Sequence, residues 1–243
     1  MATAYPPDMG RKDRLFFTGM GFFVALVTFA GFARSYYLSH WLAPPERTPE
    51  LTPLLHVHAT VFTLWILLGV AQPALIAAGR RQAHRVLGIG GAVLALFVWG
   101  LGNLASVAAM EVGYKGLGDP YAFYAITFFS MQAFGIVVAL GIAWRKHAER
   151  HKRLMLLSSA AILEAAVGRL PLEMVASTAP LSFYLGADLI IIAGIVYDRA
   201  ARGRIHPVWI WGGGALVASQ LLRVAIMNTD AWLGFARFIA GLA

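Results

Sequence analysis

The chain has 243 residues, 59% of them hydrophobic and 13% charged, with a mean hydropathy of +0.67. Soluble domains carry about 45–50% apolar and about 25% charged residues, so an ordinary soluble enzyme is excluded and an integral membrane protein is expected. Cysteine is absent, which removes disulfides, thiolate metal sites and iron–sulfur clusters; the net charge of +8 reads as basic loops flanking a membrane, with no nucleic-acid partner.

In chain order, seven spans are predicted, over about 15–38, 54–78, 86–110, 120–144, 154–176, 181–198 and 207–228. Stretches 15–33, 51–79, 86–110 and 120–144 contain no Asp, Glu, Lys or Arg. Each reaches the ~20 residues a helix needs to cross hydrocarbon. The last three spans are interrupted by charge: Glu164, Arg169 and Glu173 in the fifth, Asp188 in the sixth, Arg223 in the seventh. Thr52-Pro53 reads as an N-cap and first-turn proline opening the second helix. After residue 228, a Thr229/Asp230 cap precedes Trp232, Phe235, Ile239 and Leu242 at helical spacing. That pattern predicts a short amphipathic helix, either on the membrane surface or packed on the bundle.

With the N-terminus inside, 14 of the 20 Lys and Arg residues fall in cytoplasmic segments, around 11–14, 80–85, 145–153 and 199–204. The fold class expected is therefore an all-α, seven-helix transmembrane bundle, N-terminus cytoplasmic and C-terminus outside, forming one integral membrane domain over 1–243. No cleavable signal peptide, soluble domain or 20–50-residue repeat is expected.

An ionisable side chain inside a span costs about 2.5–3.5 kcal/mol on insertion scales and usually faces the bundle interior. Rise per residue places His58, Asn103, Glu164, Arg169, Asp188, Gln220 and Arg223 in one depth zone of the outer half. Facing one another, they would form a polar ligand pocket. The competing reading is a structural lock made of ion pairs such as Glu164–Arg169 and Asp188–Arg223.

Histidine gives a second signal. His56 and His58 lie two apart, about 200° around a helix, so only one can face a shared site. His84 opens the third span and His151 the fifth, at the same edge. Bis-histidine haem takes one imidazole from each of two neighbouring helices, with Arg85, Arg150 and Arg153 as candidate propionate partners. The plain alternative is that these histidines cap helices at the interface. No pattern of a serine hydrolase or an intramembrane metallohydrolase stands out.

The blocks 54–88, 151–172 and 203–238 resemble a bacterial family of predicted multi-span membrane proteins. The shared features are the helix-2 histidines, Gln72 before Pro73, His84-Arg85-x-Leu87-Gly88, and His151-Lys152-Arg153-x-Met155. A looser likeness is to b-type cytochromes of the b561 kind, in which the third and fifth helices supply one haem pair. That likeness implies haem b on His84 and His151; the fourth span has no histidine to complete a second pair with His56 or His58. The resembled family implies no particular activity; the paired histidines of the third and fifth spans and the buried charges point to a multi-pass protein of the bacterial inner membrane, b-type cytochrome-like and redox-active or oxidase-associated, with quinone or another small ligand in the outer pocket around His58 and Arg169. Two alternatives stand beside it: a transporter or binding protein for a lipid or small anion, and an accessory subunit of a larger membrane complex.

Overall fold

The computed structural model describes residues 9–45, 48–113 and 118–242; Arg47 and Lys115 lie outside them. Among these residues the structure is all-helical. Six helices are long and apolar enough to cross a membrane. α1 (Met9–Phe32) continues as a π-helical turn, Ala33–Tyr37. α2 (Pro53–Ala77) starts on Pro53, with the Thr52 hydroxyl accepting from the Leu55 N–H (3.4 Å), as the sequence predicts. α3 (Arg81–Val112) and α4 (Pro120–Ala143) follow, α4 capped by the Asp119 carboxylate on the Tyr121 N–H (2.8 Å).

The segment expected as one span over 154–176 is a broken path instead. α5 (Ala148–Ala160) ends in a turn, α6 (Glu164–Val167) is one turn long, and α7 (Glu173–Ser177) follows a second break. Pro171 lacks the amide a continuing helix requires and its ring clashes with the preceding turn. A 3₁₀ turn, Leu181–Tyr184, then leads into α8 (Leu185–Arg202). Irregular backbone at membrane depth is tolerated where protein covers it; here Ala160–Leu163, Ala166 and Val167 are buried. A π-helical turn (Trp209–Gly213) opens α9 (Gly214–Ile226), and α10 (Asp230–Ala240) ends the described chain.

Sequential neighbours α1–α2, α2–α3, α3–α4 and α4–α5 pack side by side. Small residues set the closest approaches. Gly21 abuts the backbone of Gly69 and Val70, and Gly31 abuts the backbone of Ala166, so a methyl group at either would collide with main chain. α10 packs on the bundle: Trp232 is buried among the rings of Tyr124, Phe128 and Phe129 at 5.5–5.8 Å, while Phe238 stays exposed.

Candidate functional site

The start of α5 lies beside the start of α1, the start of α3 and the end of α8, at a basic end of the bundle. Its side chains leave in three directions. His151 points towards α3 and α4, Arg153 towards α8, and Arg150 onto the surface beside α4, next to the buried Leu154.

On the first face, the His151 and His84 rings meet with centroids 6.3 Å apart and planes at 85°. The His151 Nδ1 sits 2.8 Å from the Gly141 carbonyl, which can only accept, so its proton is on Nδ1 and Nε2 carries a lone pair. Gln72 holds His84: its amide nitrogen contacts Nδ1 and donates to the His84 carbonyl (3.2 Å), while its oxygen accepts from the Gly88 N–H (3.1 Å). Both imidazoles are half-buried; His151 donates through Nδ1, the way outer-shell acceptors orient metal-bound histidines, whereas the His84 Nδ1 accepts from Gln72 and its proton is left on Nε2. A 6.3 Å approach with near-perpendicular planes is also that of an ordinary edge-to-face ring pair.

Only two protein donors come together here. Among the described residues no group of three or more His, Asp or Glu side chains could hold a metal ion. A two-imidazole set suits a cofactor that brings its own equatorial ligands. His151 has the tautomer an iron ligand needs. Ligation by His84 Nε2 would need its proton on Nδ1 and the Gln72 amide turned over, which gives up the Gln72 bonds to the His84 carbonyl and the Gly88 N–H.

The second face is an ion network that sequence reading missed. Arg153, fully buried, grips the equally buried Asp198 through Nε (2.9 Å) and a second contact, and donates to Glu149 (2.9 Å). Arg202 joins Asp13 (2.5 Å), Glu149 (2.6 Å) and Asp198 (3.2 Å); Lys152 joins Asp13 and Glu149, both at 2.6 Å; the Tyr197 hydroxyl donates to Asp13 (2.5 Å). Three acids and three bases on α1, α5 and α8 thus neutralise one another. Arg153, expected as a propionate partner, is committed here; Arg85 and Arg150 are exposed. The hint in the sequence was Asp198 closing an apolar helix one turn before Arg202.

Burial would raise the Glu149 carboxyl, but the hydrogen bonds from Lys152 and Arg153 win and hold it below its ordinary value of 4.5. His206, beside the network, is pushed down to about 4 by burial and by the Arg153 charge. Its Nδ1 accepts from the Val208 N–H (3.2 Å), which leaves the proton on Nε2.

Deeper in the bundle the predicted polar zone splits into three groups. Glu164 and Arg223 pair at 2.9 Å, with Arg223 only 2% exposed. Ser130 touches both carboxylate and guanidinium, Ser219 accepts from Arg223 Nε (3.1 Å), and the Tyr184 ring lies 5.7 Å from the guanidinium. Gln220 is buried alongside, facing Asp188, whose Oδ1 is buried without a hydrogen-bond partner.

Arg169 does not join this group. Five residues separate it from Glu164, about 140° around a helix, and it lies exposed, 4.8 Å over the Phe32 ring, donating to the Ala165 carbonyl (2.8 Å). The expected pairs Glu164–Arg169 and Asp188–Arg223 are therefore replaced by Glu164–Arg223. His58 belongs to the Arg169 side, stacked on Phe62 at 4.1 Å with its Nδ1 buried and unpartnered. His56 points away, exposed near Tyr36, as its spacing from His58 requires. Asn103 forms the third group, its Oδ1 accepting from Gln132 (2.8 Å), which accepts in turn from Trp99 (3.3 Å).

No protein-family model, curated protein or solved structure matches this chain.

Proposed function

We propose that this is a multi-pass membrane redox protein whose His84 and His151 hold one haem b at the basic end of the bundle. The 6.3 Å approach of two imidazoles from helices that make little other contact is the observation that carries the reading. Haem bound there supplies one-electron chemistry. The chain's own contribution is to fix both rings: Gly141 orients His151, Gln72 orients His84, and Arg85 offers a cation to a propionate, whereas Arg150 leaves α5 on another face, over Trp144.

The finer topology belongs to the same proposal. The broken path from α5 through α7 counts as the fifth of seven crossings, because α5 leaves the basic end and α8 returns to it. Basic residues gather on the cytoplasmic side of bacterial inner membranes, which puts the N-terminus in and the C-terminus out. Because the chain lacks cysteine, single cysteines at position 204 or 229 can be labelled from either side of the membrane; we expect 204 inside and 229 outside.

An absorption spectrum of protein purified after expression with ample haem tests the cofactor. A Soret band is expected, retained in His56→Ala and lost in His84→Ala and His151→Ala. Its absence from the unaltered protein overturns the reading. The alternative of an anion transporter or binding protein draws less support, since Arg223 is already held by Glu164 and Ser130. Quinone at the outer pocket and a partner complex have no contact in the structure that favours them.

A further inference from the structure

The third face of α5 borders a groove of about 710 Å³ on the lipid-facing side of the bundle, between α4 and the run from the π turn into α9. Its floor is apolar, formed by Phe129, Ala133, Ile136 and Leu140 on α4 and by Ala215 and Leu216 opposite. Its polar end is the basic end of the bundle. There Arg150 stacks over Trp144 at 5.0 Å, His206 lines the wall, and Trp211 stands 77% exposed at the rim.

Phe129 and Trp144 are fifteen residues apart on one helix, a run of ~22 Å. One leaflet's hydrocarbon is ~15 Å deep, so the groove holds an acyl chain and extends into the headgroup region beyond it. Arg150 has no carboxylate partner among the described residues, and Trp144 and Trp211 mark the depth at which indole rings favour the membrane–water interface. A cation at the mouth, an imidazole beside it and an apolar floor below select a molecule with an anionic head and a long chain.

We propose that this groove is a binding site for one anionic phospholipid of the cytoplasmic leaflet, its phosphate on Arg150 and His206 and one acyl chain laid along α4. Basic pockets between helices at the cytoplasmic face recognise such headgroups, and the selectivity rests on Arg150. The site stands independently of the haem reading, since His151 leaves α5 on a different face.

Binding of phosphatidylglycerol, phosphatidylcholine and ubiquinone to the full chain in detergent, read by native mass spectrometry and by thermal shift, tests the site. Phosphatidylglycerol should bind about fivefold more tightly than phosphatidylcholine. Arg150→Ala, an exposed change that leaves the fold intact, should abolish that preference, and Ala215→Trp, which fills the floor, should weaken both phospholipids. Equal binding of the two phospholipids to the unaltered protein overturns the proposal. So does tighter binding of ubiquinone, or Ala215→Trp dissociating a dimer without changing lipid binding, which would make the groove a contact between copies.

Discussion

Two faces of the same short helix treat polar groups in opposite ways. Around Arg153, every charged partner is matched: Asp13, Glu149 and Asp198 against Lys152, Arg153 and Arg202, all tied by direct contacts. Around His151, two residues earlier and about 200° away, two imidazoles are anchored through Nδ1 and meet without an ion pair or hydrogen bond between them. A saturated network holds α1, α5 and α8 together and has no valence left for a ligand. The histidine face is oriented and unsaturated, which is the state a cofactor needs. The comparison separates lock from site by counting what is already satisfied.

Breaking the lock should cost most. Asp198→Ala leaves the buried Arg153 with Glu149 as its one remaining carboxylate and also takes a partner from Arg202 and the His206 N–H, a loss of about 3–5 kcal/mol, the scale of a broken buried pair. Melting in detergent should show a large loss of stability, and replacing both residues with apolar side chains should recover much of it. A small effect of Asp198→Ala would put the network among the dispensable surface ion pairs.

Glu164→Gln comes next. Arg223 loses its counter-charge yet keeps Ser130 and Ser219, so the cost should sit near the lower end of that range, about 3 kcal/mol. Thermal melts of the two variants side by side check the order.

His151→Ala sharpens the contrast from the other side. It removes one hydrogen bond to the Gly141 carbonyl and should lower the stability of haem-free protein by only about 1 kcal/mol. A loss as large as that of Asp198→Ala would mean that the histidine face is also structural.

The pH dependence divides the faces more finely. The unfolded chain protonates His206 below its ordinary value of 6.5, whereas the folded protein resists until about 4. The unfolded state therefore binds more protons in that window, and stability falls as pH drops from 6.5 to about 4. Glu149 is held below 4.5, so its contribution is complete above that value and is lost on further acidification. Melting temperature against pH should fall in two stages, and His206→Gln should flatten the upper one.

Much of the architecture was legible because hydrophobicity over ~20 residues reports a membrane span with few competing meanings. The Thr52-Pro53 helix start and the divergence of His56 and His58 followed from local rules and spacing. The pairing of charges did not. Glu164 has Arg169 nearer in sequence, but the breaks around Pro171 and the rotation between the two positions send it to Arg223. Arg153 looked like one of several basic residues in a loop, and nothing local marked Asp198 as its partner 45 positions away.

Sequence alone determined that this chain carries several segments long and apolar enough to cross a bilayer and which residues lipid would refuse, because transfer free energy and helical period are properties of single segments. Only the tertiary structure decided which refused residues neutralise one another and which are left available. That choice depends on how whole helices rotate and approach, set at places such as Gly21 and Gly31 where backbones come within contact.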